Sequence, residues 1–138
     1  MDRYLGKYSS HTYALLRIVA GLVFAQHGAV KLFGVLGGFG GPGKTAPLFS
    51  QMGLAGVIEF FGGLLIAFGL FAAITAFIAS GEMAVAYFQA HFPDAFFPIQ
   101  NKGELAVVLC FVFLNVAAHG AGIWSIDALR GKGAKSSG

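Results

Sequence analysis

Charge is scarce in this chain and cysteine is nearly absent. Only 11% of its 138 residues are Asp, Glu, Lys or Arg, against about 25% in ordinary soluble domains, which excludes a conventional water-facing globular surface. The single cysteine, Cys110, rules out an intrachain disulfide and any CxxC redox pair. Its place within LAVVLCFVFL reads as that of a small buried hydrophobe. No tight His or Cys spacing suggests a metal centre. The net charge is +3, but the bases are spread along the chain and gather at its two ends. A nucleic-acid surface needs them clustered on one face, so anionic lipid headgroups are the simpler partner.

What the chain has instead is apolar length, at 57% hydrophobic residues. Four stretches, about 12–33, 53–70, 72–92 and 103–123, each approach the roughly 20 residues that cross a hydrocarbon core of about 30 Å. They predict an all-α integral membrane four-helix bundle, a single four-span domain over residues 1–138. The second and third stretches run together without a polar loop, and Gly69 marks the tight hairpin between them. Pro93 and Pro98 stop the third, and the aromatics of HFPDAFFP, like Trp124 after the fourth, suit a headgroup boundary. The first stretch contains Arg17, Gln26, His27 and Lys31 and no clear small-residue cleavage site, so it reads as a retained span and not a signal peptide. Arg3 and Lys7 precede it, and Arg130, Lys132 and Lys135 follow the last stretch, whereas the opposite loops hold only Lys44 and Lys102. Both termini are therefore expected in the cytoplasm, with the tail GKGAKSSG flexible.

GFGGPGKT, from Gly38 to Thr45, matches the phosphate-loop pattern G-x-x-x-x-G-K-[ST]. That mechanism needs a strand before the loop and a helix after it, so that backbone amides cradle phosphate. Here a membrane span precedes it, Pro42 removes one amide donor, and the predicted topology puts the loop outside the cytoplasm. Nucleotide is not expected as a partner, and the segment reads as a flexible loop or lid.

Residues three or four apart share a helix face. On that basis each span carries one seam of polar and small residues: Arg17, Gly21, Phe24, Gly28 and Lys31 with His27 beside them; Gly56, Glu59, Gly63 and Ile66; Thr75, Ala79, Glu82, Ala86 and Gln89; Glu104, Val108, Phe111, Asn115 and Gly122, with His119 nearby. Counting depth at 1.5 Å per residue groups His27, Lys31, Glu59, Glu104 and Gln89 in an outer cluster. Arg17, Asn115 and His119 fall in an inner one, with Glu82 between the layers as a possible partner of Arg17. Charges in hydrocarbon persist mainly when paired or used. The outer cluster is thus a candidate quinone site, a carboxylate beside imidazole and ammonium being able to bind a carbonyl and exchange its protons. Purely structural ion pairs explain the same residues, Lys31 by snorkelling and Glu104 by capping its helix. Haem ligation by His27 and His91 is unsupported, since nothing fixes their relative direction.

The series RIVAGLVFAQHGAVKLFG and GVIEFFGGLLIAFG, with NKGELAVV and HGAGIWSID later, resembles the DoxX family of small bacterial membrane proteins over essentially the whole chain. The resemblance implies a four-helix membrane bundle in the bacterial cytoplasmic (inner) membrane. It carries the family's recurring polar positions onto Arg17, Lys31, Glu59 and Glu104, without a catalytic status for any of them. The family is named through similarity to a subunit of an archaeal thiosulfate:quinone oxidoreductase, and some relatives are linked to thiol and oxidative-stress responses. The chain departs from relatives that use cysteine pairs, so a dithiol relay by this subunit alone is not expected. Three functions follow as expectations: a membrane subunit in quinone-linked oxidoreductase chemistry; a non-catalytic accessory or assembly subunit of a larger membrane complex; or a binder or transporter of a small lipophilic molecule. A homo-oligomer or a larger assembly is expected in each case.

Overall fold

The computed structural model describes residues 2–137, with side chains placed from Arg3 to Gly131. It is helical, with no strand among the described residues. After a short helical lead-in, α1 runs Ser9–Phe33, α2 Gln51–Phe68, α3 Ala72–Ala86, α4 Glu104–His119 and α5 Ile126–Ser137. Two helices are long and apolar enough to cross a membrane, Arg3–Phe33 (lead-in plus α1) and Gln51–Phe68, while Glu104–His119 is a shorter apolar helix.

Helix ends follow from local chemistry. Gly34, at φ 69°, ends α1 in the left-handed conformation that glycine adopts without a Cβ clash. Ser50 caps α2 by accepting from the Gly53 amide at 3.1 Å. Gly69, at φ 72°, ends α2 where the sequence places the hairpin, and Phe71, at φ 52°, completes the turn into α3.

Two expected boundaries shift. The third stretch is α-helical only to Ala86 and continues as a π-helical turn over Tyr87–His91. The fourth stops at His119 because Gly120 takes φ 93°, an extended left-side geometry that breaks the ladder. Residues 120–125 then form a loop, and the tail expected to be flexible from Gly131 belongs to α5.

Packing is closest between α1 and α2, then between α3 and α4, with α2 and α3 touching less extensively. The first pair is close because glycine faces glycine. A Cβ on Gly21 would stand 2.6 Å from the Gly63 carbonyl oxygen, and one on Gly63 would stand 2.5 Å from that of Gly21. Such small-residue seams let helix backbones approach where lipid offers no hydrophobic drive. Phe24 and Phe113, both fully buried, meet at 4.8 Å between ring centroids and join the two pairs through a core that also holds Ile66, Ala76 and Val116.

Candidate functional site

Polar groups collect at two levels separated by that apolar core. Along α1, Arg17 and Lys31 are fourteen positions apart, about 21 Å at the helical rise, and Phe24 lies midway.

At the first level Arg17 is fully buried, yet it pairs with no carboxylate. Its Nε donates to the Ile66 carbonyl at 3.0 Å, one terminal nitrogen to those of Ala121 and, at 3.0 Å, Ile123, and the other to Trp124 at 2.7 Å and Ala67 at 3.4 Å. The planar fork suits this task, since it can satisfy carbonyls left open at the end of α2 and in the 120–125 loop together. The expected Arg17–Glu82 pair is therefore corrected. The α2–α3 turn lies at the height of Arg17, and Glu82 stands ten residues further along α3 than Ala72, about 15 Å away.

Around Arg17 the loop is fixed by Tyr13 and Asp127, which the sequence reading did not assign, with His119, which it did. Tyr13 donates to the Gly120 carbonyl at 2.6 Å, and the His119 ring lies 3.8 Å from that of Tyr13. Asp127 caps α3, its two oxygens each accepting at 2.9 Å from the amides of Phe71 and Ala72. Acid followed by helix is a legible capping signal, but here the acid lies 55 residues from the helix it caps, a distance no local pattern spans. His119 is exposed and lines a cavity of about 480 Å³ with Tyr13 and Asp127. Asn115 is exposed on α4, so the expected inner cluster is not assembled as such.

At the second level Lys31 Nζ donates to both oxygens of Glu59, at 2.8 and 2.6 Å. Glu59 is 1% exposed and Lys31 16%. Gly28 and Gly56 make this meeting possible, because their missing side chains bring α1 against Phe60 and α2 against Lys31. The lysine reaches back toward the start of its own helix, as helical side chains do.

Glu82, from α3, faces Glu59, and its buried Oε2 has no partner among the described residues. Lys31 and Glu82 line a cavity of about 320 Å³ between α2 and α3, together with Gln51, Gln89, Met52, Ile58 and Val85. Gln51 donates to the Gln89 amide oxygen across its mouth. Met52, Leu54, Ile78 and Val85 are exposed, so the cavity opens on an apolar flank.

Of the expected outer cluster, Lys31, Glu59 and Gln89 thus converge, and Glu82 joins them. His27 and Glu104 do not. His27 is exposed because it sits one residue off the buried stripe through Phe24 and Gly28, and Glu104 is exposed in the first turn of α4, where a carboxylate complements the helix dipole. His91, not supported above as a haem ligand with His27, has Nδ1 3.0 Å from the Asn101 carbonyl oxygen. Among the described residues no group of three or more His, Cys, Asp or Glu side chains is placed to hold a metal.

The segment Gly38–Thr45 follows α1 and precedes further loop, not a helix. Its amides turn inward: Phe39 donates to Lys44 at 2.8 Å, Lys44 to Gly41 at 3.1 Å and Gly43 to Gly34 at 3.1 Å. This is a self-bonded loop without the strand and helix that a phosphate cradle needs.

The DoxX family model matches residues 12–92. The chain belongs to the DoxX family. The matched region contains Arg17, Lys31, Glu59, Glu82 and Gln89, and so the whole polar wall of the cavity, but not Glu104, His119 or Asp127. An uncharacterized protein of Haemophilus influenzae is 41% identical over 130 residues, covering 89% of this chain and 93% of its own. No solved structure matches. As a DoxX protein with apolar helices of spanning length, the chain is a membrane protein, and its charged pair lies in a bilayer-associated fold.

Proposed function

We propose that this DoxX chain is a multi-pass protein of the bacterial inner membrane, a single domain crossing four times as a four-helix bundle with both termini in the cytoplasm. We further propose that it is a membrane subunit in quinone-linked oxidoreductase chemistry. The observation carrying the second part is a buried Lys31–Glu59 pair whose lysine, with Glu82, lines a cavity that opens to an apolar flank. A ring headgroup entering from lipid meets charge, amide and carboxyl groups there without leaving hydrocarbon. The volume, about 320 Å³, falls at the small end of ligand cavities, roughly 300 to 1,000 Å³, which suits a headgroup and leaves its tail in lipid. Gln51 and Gln89 supply further donors and acceptors at the mouth.

The test is binding of decylubiquinone and a menaquinone analogue to the protein in nanodiscs, with extraction and mass spectrometry of quinone from the purified membrane form. Saturable binding weakened ten-fold or more by Glu59→Gln supports the reading. No co-purified quinone, no binding and unaltered membrane reductase activity in that variant would end it.

A second reading rests on a different surface. Tyr87, Phe88, Phe92 and Phe96 form an aromatic ledge around an apolar cavity of about 550 Å³, which suits packing against another membrane subunit or a second copy, or holding a small lipophilic molecule. Stable co-purification with one large complex, retained in Glu59→Gln, favours this accessory role.

A further inference from the structure

Glu82, on the cavity wall, lacks a donor for one of its buried oxygens. Lys31 spends two of its N–H donors on Glu59, at 2.8 and 2.6 Å. Gln51 donates to Gln89, and neither amide reaches the Glu82 Oε2. Glu82 therefore meets Glu59, an acceptor, with a buried oxygen that receives no hydrogen bond. Two facing carboxylates repel, and the Glu82 oxygen stays unsatisfied. The charged groups facing Glu82 are Glu59 from α2 and Lys31 from α1, while α4 presents to α3 the uncharged contact of Ser80 Oγ with the Cys110 carbonyl, at 2.8 Å. One ammonium against two carboxylates leaves a negative charge in excess within an apolar fold.

We propose that Glu59 and Glu82 hold one proton between them, Glu82 donating it to the Lys31-bound carboxylate of Glu59, so that the cavity wall is a neutral assembly of ammonium, carboxylate and carboxylic acid. A single added O–H satisfies the orphan oxygen and removes the excess charge at once. The pair is then a store of one exchangeable proton beside the cavity. Resting on the quinone reading, the store serves an occupant whose oxygen takes the proton, leaving two carboxylates until water at the Gln51–Gln89 mouth returns it. The apolar core at Phe24, Ile66 and Phe113 separates this level from Arg17, so exchange runs through that mouth.

Infrared difference spectroscopy of the full chain in nanodiscs tests the proposal. A protonated-carboxyl C=O band that shifts in D2O is expected at neutral pH, abolished in Glu82→Gln and retained in Glu104→Gln. Solid-state NMR of wild-type protein labelled at glutamate carboxyl carbon asks the same question without a variant, and one neutral carboxyl is expected. Absence of a neutral carboxyl by both methods, or a band surviving both Glu82→Gln and Glu59→Gln, overturns the proposal. A band present without decylubiquinone binding retains the shared proton and removes the quinone reading. Binding without the band removes the shared proton and retains that reading.

Discussion

Lys31 and Glu59 form a bidentate contact, 2.8 and 2.6 Å from one ammonium nitrogen to the two carboxylate oxygens, across the closest helix pair of the fold. Removing one partner of a buried pair leaves the other charge without compensation, whereas removing both is far milder. Lys31→Met is expected to cost about 3 kcal/mol, and Lys31→Met with Glu59→Met is expected to recover most of it. Thermal unfolding in a mild detergent measures both. Equal losses in the single and double variants would show that the pair contributes no coupling.

Arg17 holds the 120–125 loop to the end of α2 through carbonyl contacts that only a guanidinium can make together. Arg17→Lys keeps the charge but loses the fork. It is expected to destabilise by about 3 kcal/mol through carbonyls left unsatisfied. The single tryptophan, Trp124, whose carbonyl Arg17 grips, reports the change directly. Its emission is expected to broaden and become more accessible to a soluble quencher, and unchanged quenching would refute the loop's dependence on Arg17.

Glycine seams differ in tolerance. Gly21→Leu places atoms where the Gly63 carbonyl stands 2.6 Å from the first added carbon, and it is expected to separate α1 from α2 at a cost of about 3 kcal/mol or more. Gly62→Ala meets Thr75 Cγ2 at 3.5 Å and Phe24 Cε2 at 3.9 Å, both ordinary contacts. It is expected to be neutral within about 0.5 kcal/mol. Comparable melting shifts in the two variants would contradict the packing described.

Asp127 caps α3 from far along the chain. Asp127→Ala is expected to cost about 1 kcal/mol, read as roughly five-fold faster hydrogen exchange at the Phe71 and Ala72 amides. Faster exchange spread evenly over the chain would point to general loosening and not to a lost cap.

The sequence alone determined the class of this protein. Scarce charge, long apolar runs and the seams around Arg17, Lys31 and Glu59 specify a helical membrane chain, because 3.6-residue periodicity and hydrocarbon thickness are properties of a single segment, and the resemblance of those segments pointed to the DoxX family. Gly69 was equally legible, since a left-handed residue at a helix end is a local demand. Partners were not. Depth counting put Lys31 near Glu59 but attached Glu82 to Arg17 and drew His27 and Glu104 into the cluster. Height along a helix does not state which way a side chain points, nor that backbone carbonyls would claim the guanidinium first. Only the tertiary structure, through glycine contacts that set how α1 meets α2 and the lighter contact that leaves a cavity between α2 and α3, decided that Lys31 would pair with Glu59 and that Glu82 would stand beside that pair.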